Sequence, residues 1–120
     1  AKEVWITERG TSFGYNRLVV DYTGMQYMHK HYPVPIVFDA THAVQQPGGN
    51  GDSSGGNRDY VTGLACAAAG MGITNFFLEV HADPDNAPSD GPNMLKLKDF
   101  QTTVKRIALI SKTLENAWWI

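Results

Sequence analysis

Pro35-Ile36-Val37-Phe38-Asp39-Ala40-Thr41-His42 runs from a proline through three large apolar residues to an acid and then an imidazole. A short, continuous apolar run of β-branched and aromatic residues is the pattern of a strand covered on both faces, as in a parallel sheet. Two more runs of this kind flank it, Val4-Trp5-Ile6-Thr7 before and Asn75-Phe76-Phe77-Leu78-Glu79 after. Helical patterns fill the intervals. Residues 22–31 carry Tyr22, Met25 and Met28 at helical spacing. Residues 58–69 are alanine-rich and stop before Gly70 and Gly72. Residues 97–118 repeat apolar side chains at Phe100, Val104, Ile107, Leu109, Ile110 and Leu114. The order β-α-β-α-β-α predicts an α/β fold of parallel strands with right-handed crossovers.

Three strands cannot close on themselves, so the chain reads either as a small open sheet or as three units of a larger (β/α) barrel. The placement of polar residues favours the barrel. The stretches 8–16, 40–57 and 80–93 are polar and glycine-rich, and each follows a strand, where barrel chemistry gathers. The connections leading back into strands are short and plain. A chain that opens directly in strand-like residues is expected to be a piece of a longer protein, with residues 1–120 forming part of one domain.

The bulk properties narrow the class. The 120 residues are 42% hydrophobic and 18% charged, a globular balance. No apolar run approaches the roughly 18 residues that a membrane helix needs. The net charge is −2 and the basic residues are scattered, which argues against a nucleic-acid partner. Cys66 is the only cysteine, so an internal disulfide is excluded. Its alanine-rich surroundings read as a helix that buries it as a small hydrophobe, and a single thiol fits a reducing compartment.

Chemistry-bearing side chains collect after the strands. Arg9, beside Gly10, can offer a guanidinium fork to a carboxylate or phosphate, or can pair with Glu8. Asp39 and His42 follow the middle strand; Glu79 and His81 end the last one, on the face shared with Phe77. Asp90 follows in Ala87-Pro88-Ser89-Asp90-Gly91-Pro92. His42, Glu79, Asp90 and His81 form a candidate nitrogen-and-oxygen site for a divalent transition metal. The alternative is a set of hydrogen-bonded structural groups. His29 and His31 lie on a polar helical stretch and read as solvent-facing. Residues 45–57 hold five glycines in thirteen positions, which suits a flexible lid or an anion cradle as well as a surface connection. No Gly-Lys-Ser/Thr follows, so this is not a Walker loop.

Taken in register, three stretches resemble one family. Thr7-Glu8-Arg9-Gly10-Thr11-Ser12-Phe13-Gly14-Tyr15-Asn16 with Leu18-Val19-Val20-Asp21 resembles the region of the sixth barrel strand in 3-deoxy-manno-octulosonate 8-phosphate synthases. Phe38-Asp39-Ala40-Thr41-His42-Ala43-Val44-Gln45, with Pro47-Gly48-Gly49 and Ser54-Gly55-Gly56, resembles the seventh. Glu79-Val80-His81, Asp83-Pro84, Ala87 and Ser89-Asp90-Gly91 resemble the eighth. Arg17 and Ala82 depart from the family pattern without touching a functional position.

The resemblance implies a (β/α)8 TIM barrel, of which this chain supplies strands six to eight; a whole barrel takes roughly 250 residues. It implies condensation of phosphoenolpyruvate with arabinose 5-phosphate and water, releasing inorganic phosphate. It makes His42, Glu79 and Asp90 metal ligands, with His42 and Asp90 catalytic. Arg9, Phe13, Asp39, His42, Gln45, Ser54, Arg58 and His81 become substrate contacts, and the glycine loop becomes a lid over the sugar phosphate. The cofactor would be a divalent transition metal such as Zn, Fe, Mn, Co or Cd. Metal-dependent members add a cysteine from the first strand, and others carry Asn there and need none. The Gln-x-Pro-Gly-Gly pattern looks more like the metal-dependent branch. The resemblance further implies a cytoplasmic homotetramer serving lipopolysaccharide biosynthesis. Rival readings are a sister synthase acting on erythrose 4-phosphate or an amino sugar, and a phosphate-binding barrel fragment without turnover. The isolated piece is expected to be inactive, with open sheet edges prone to aggregation, and its terminal aromatics, Trp118 and Trp119, are expected to pack against a neighbour.

Overall fold

The computed structural model describes residues 1–50 and 53–115. The side chains of Asn50, Ser53 and Ser54 lie outside the described residues, as do residues 116–120, with Trp118 and Trp119. The elements are β1 (Ile6–Glu8), β2 (Thr11–Ser12), β3 (Leu18–Val19), α1 (Tyr22–His31), β4 (Ile36–Asp39), β5 (Gln45–Asn50) and β6 (Ser53–Gly56). There follow α2 (Val61–Gly70), β7 (Asn75–Phe77), β8 (Val80–His81), β9 (Leu95–Lys96) and α3 (Leu97–Thr113).

The three expected strands form one parallel sheet in the order β1-β4-β7. Ile6 pairs with Ile36 and Glu8 with Phe38, while Asp39 pairs with Phe77. All four residues of β4 are buried, as its apolar run requires of a central strand. Phe38 is fully buried and packs in one cluster with Met25 of α1, Val61, Ala65 and Ala68 of α2, and Leu95 of β9. Alanines at 65, 68 and 69 let α2 lie close to its neighbours.

Local chemistry sets the helix ends. The Asp21 carboxylate accepts the Gly24 amide at 2.8 Å and caps α1. α2 closes in a Schellman motif: Ile73 N donates to Ala68 O and Gly72 N to Ala69 O, both at 3.0 Å. Gly72 takes φ +104°, a left-handed conformation that a side chain would resist. Ile73, 3% exposed, then enters the core. Cys66, expected to be buried, is only partly so.

Three expectations change. Residues 45–57 are not a loose connection: β5 and β6 form an antiparallel ladder pairing Gln45 with Gly56, with an irregularity between Gln46 and Asn50. Glycine has no alternating side-chain pattern to announce a strand, yet its amide and carbonyl serve a ladder fully. The last strand stops at Phe77, and Val80-His81 pairs separately with Leu95-Lys96. In α3 only Thr103 is buried; Phe100 and Val104, expected to face a core, remain exposed. Among the described residues no helix is long and apolar enough to cross a membrane.

Candidate active site

The carboxyl ends of β1, β4 and β7 lie side by side, and each delivers a polar residue to one place. β4 delivers the most. Asp39 is its last residue and is 7% exposed. Its Oδ1 accepts the His42 amide at 3.0 Å and the Thr41 hydroxyl at 3.2 Å. Its Oδ2 lies 2.7 Å from His42 Nδ1. An acid three residues before a histidine at a strand end thus folds the chain into a turn and fixes the imidazole in the same act. With Nδ1–H donated to Asp39, the lone pair of Nε2 faces outward.

His42 Nε2 meets two carboxylates, Glu79 Oε2 at 3.2 Å and Asp90 Oδ2 at 3.3 Å. The Phe77 ring lies over the imidazole at 5.8 Å between centroids. Asp90 enters from the loop after β8 and holds φ 56°, the left-handed region, which aspartate tolerates better than most residues. Its carbonyl accepts the Asn93 and Met94 amides, both at 3.1 Å, so that backbone is pinned. Gly91 is required by space: a Cβ there would sit 2.4 Å from the Pro84 carbonyl oxygen.

A second line of contacts leads away from the ligands. Gln45 Nε2 donates to Asp90 Oδ1 at 2.7 Å, and Arg9 Nη2 donates to Gln45 Oε1. Glu8 does not take up Arg9; its carboxylate turns back onto the Gly10 amide at 2.5 Å. The exposed guanidinium of Arg9 is therefore tethered to the cluster through Gln45.

Burial pushes the Glu79 carboxyl above the usual carboxylate range; the His42 ring opposes this, and the charges of Asp90 and Asp39 reinforce it. Glu79 Oε2 is a buried atom with no hydrogen-bond partner. A carboxylate oxygen so placed calls for a cation or a proton. His42, Glu79 and Asp90 each offer one donor atom, all within 4.8 Å of one another. Donors held about 2.0–2.2 Å from one ion stand roughly 3.0–3.5 Å apart, and the two separations at His42 Nε2 fall in that interval. One imidazole and two carboxylates suit a divalent transition metal. The residues fit such an ion.

Other expected residues go elsewhere. His81 Nδ1 accepts the Asp83 amide at 2.9 Å, which turns its ring into its own loop. This leaves it out of the cluster, because the strand breaks after Phe77 and the expected shared face ends there. Arg58 donates to Asp85 Oδ1 at 2.6 Å and to Gly91 O at 2.9 Å, so it clamps the Asp90 loop. Phe13 stands exposed between β2 and β3. The carboxylate of Asp39 is engaged by Thr41 and His42, so it acts on the imidazole and not outward. The side chain of Ser54 is outside the described residues. Thr41, fully buried, was not foreseen; a hydroxyl next to a candidate ligand was its only signal.

The DAHP synthetase I family model matches residues 1–115. The 2-dehydro-3-deoxyphosphooctonate aldolase of Rhodopseudomonas palustris (strain TIE-1) is 54% identical over 105 residues, covering 88% of this chain and 37% of that protein. The protein of the same name from Bartonella henselae is 50% identical over 118 residues, covering 95% of the chain and 42% of the relative. The crystal structure of a phospho-2-dehydro-3-deoxyheptonate aldolase (DAHP synthase) from Thermotoga maritima superposes with a TM-score of 0.73 at 28% identity, covering 90% of this chain and 29% of that one. The chain thus spans well under half the length of the curated relatives it matches. With the match running through nearly every described residue, the chain belongs to the DAHP synthetase I family.

Proposed function

We propose that the intact protein condenses phosphoenolpyruvate with arabinose 5-phosphate and water, giving 3-deoxy-manno-octulosonate 8-phosphate and inorganic phosphate. The observation that carries this reading is the His42–Glu79–Asp90 cluster at the carboxyl ends of parallel strands. It occurs in a chain 54% identical to a protein named 2-dehydro-3-deoxyphosphooctonate aldolase. On this reading the chain contributes strands six to eight of a (β/α)8 barrel, whose sites gather at that end of the strands.

The enol carbon of phosphoenolpyruvate attacks the aldehyde carbon of the sugar, water adds to the neighbouring enol carbon, and phosphate leaves. Two polyanions must be brought together, so charge neutralisation and positioning carry much of the rate. Arg9 anchors one anion, and Gln45 ties its place to Asp90. His42, Glu79 and Asp90 would hold a divalent transition metal (Zn, Fe, Mn, Co or Cd). Such an ion would supply Lewis acidity toward the aldehyde or the attacking water. Asp39 holds His42 through Nδ1, so that Nε2 is the nitrogen turned toward Glu79 and Asp90. The β5–β6 hairpin, with Ser54 on it, covers the sugar phosphate. Arg58 serves that cover by fixing the Asp90 loop against it. We read the working enzyme as a cytoplasmic homotetramer supplying lipopolysaccharide biosynthesis, as the resemblance implies.

The test is phosphate release by the intact protein from phosphoenolpyruvate and arabinose 5-phosphate, with and without a chelator. Release that a chelator abolishes and a divalent metal restores is expected. Release that survives chelation would return the three residues to hydrogen bonding. Release with erythrose 4-phosphate alone would move the substrate reading to the sister synthase; the 28% identity to the DAHP synthase of Thermotoga maritima is well below the 50–54% to the proteins named 2-dehydro-3-deoxyphosphooctonate aldolase.

A further inference from the structure

We propose that the Thr41 hydroxyl is a positioning group that holds the ends of β4 and β7 in the register a shared metal needs; this rests on the metal site proposed above. Thr41 has 0% exposure. Its Oγ1 donates to Asp39 Oδ1 at 3.2 Å and accepts the Glu79 amide at 3.1 Å. The ladder between the two strands ends at the pair Asp39–Phe77, so Glu79 lies beyond its last rung. The Thr41 hydroxyl extends the connection by one further hydrogen bond at the point where the ligands begin.

One hydroxyl therefore stands between the group that orients His42 and the backbone that bears Glu79. On its far side, the Glu79 carbonyl is held by the Leu95 amide at 3.0 Å. The Glu79 Oε2 atom is buried without a hydrogen-bond partner and lies 3.2 Å from His42 Nε2. Thr41 and Leu95 hold the Glu79 backbone on either side. Removing the Thr41 hydroxyl frees that backbone on one side, leaves the part-buried Glu79 amide without this partner and takes a donor from Asp39. The residue touches neither the ion nor the substrate, and acts through its two neighbours.

The experiment titrates Co²⁺ into the intact, metal-stripped protein and follows the visible ligand-field bands. Thr41→Val keeps the shape and removes the hydroxyl, and should weaken Co²⁺ binding about 10- to 100-fold, the range for lost partners of metal ligands. Thr41→Ser keeps the hydroxyl and should bind within about threefold of wild type. Thr103→Val is the control: Thr103 is equally buried and its hydroxyl bonds Thr62 Oγ1 at 2.7 Å, away from the cluster. It should lower the melting temperature and leave Co²⁺ affinity unchanged. Wild-type affinity in Thr41→Val, or equal loss in Thr103→Val, would overturn the assignment while leaving the metal site standing. If Thr41→Val does not fold, Thr41→Ser decides alone, because weakened binding there would put the effect on the methyl group. A wild-type protein that takes up no Co²⁺ would remove the metal site and the role of Thr41 together.

Discussion

Gly91 offers a direct way to move one candidate ligand without touching its chemistry. An alanine Cβ at this position would lie 2.4 Å from the Pro84 carbonyl oxygen, where real contacts of this kind do not fall below 3.0 Å. One of the two backbones must then give way by at least the difference between 2.4 and 3.0 Å. Pro84 and Gly91 are both buried, so the clash is shared between the two segments and part of it falls on the backbone that carries Asp90. Asp90 reaches His42 Nε2 at 3.3 Å and Gln45 Nε2 at 2.7 Å, so a shift of that size breaks or remakes both contacts. Overpacking of this kind costs about 1–3 kcal/mol of stability. Misplacing a reacting group by an ångström costs on the order of 100-fold in rate, so turnover in Gly91→Ala should fall roughly 10- to 100-fold. The assay is phosphate release by the intact protein beside a thermal melt. Gly63→Ala is the comparison. It adds a methyl where nothing lies within 4 Å, inside α2, and should stabilise by about 0.5–1 kcal/mol with turnover unchanged. A Gly91→Ala protein with wild-type melting and wild-type turnover would refute the account of the loop.

Further outcomes follow from the same geometry. Asp39→Asn should lower metal affinity about 10- to 100-fold by releasing the His42 ring, read by competition with a chromophoric chelator. Arg58→Gln should loosen the Asp90 loop, seen as faster amide exchange at Asn93 and Met94 than in wild type. Glu79 binds its proton more tightly when folded than its ordinary value of 4.5 allows. Its contribution to the stability of metal-free protein is therefore fully present below 4.5 and is lost as pH rises through the raised value. Denaturant melts across that window should show the slope in wild type and a flatter one in Glu79→Gln.

Strands buried on both faces announce themselves by composition, and so β4, with Ile36-Val37-Phe38, was legible without any structure. The alanine run and Gly72 marked α2 and its end for equally local reasons. The β5–β6 hairpin was not legible, because Gly48, Gly49, Gly55 and Gly56 carry no alternating pattern. The face of α3 misled for the opposite reason. Phe100 and Val104 have the spacing of a core face and stay exposed, since periodicity says which side is apolar and not what covers it. Within the site, His42, Glu79, Asp90 and His81 are named as candidates from their places at and after strand ends, and the structure groups the first three and leaves His81 out. The resemblance implied Asp39 as a substrate contact. Its real direction depends on a turn three residues long, settled by hydrogen bonds to His42 and Thr41 that residue types alone do not specify.

The number of ligands bears on what the centre is for. Structural metal sites close with four protein donors, whereas catalytic sites keep a position for water or substrate. Among the described residues the cluster contributes three, one nitrogen and two oxygens. On the proposed reading, the remaining position would fall to another side chain of the intact protein or to a non-protein ligand, and either outcome would leave the ion tied to this chain through His42, Glu79 and Asp90. That dependence makes the Asp39 contact more consequential than its distance from any substrate would imply. His42 is the donor that both carboxylates face, and its ring is held by a single acid at 2.7 Å. Loss of that contact should therefore disturb the centre as a whole, while loss of Gln45 should detach Arg9 and leave the ion in place. A Gln45→Ala protein with normal Co²⁺ affinity and a raised KM for phosphoenolpyruvate would fit this division; reduced Co²⁺ affinity would show that the Arg9–Gln45 line also sets Asp90.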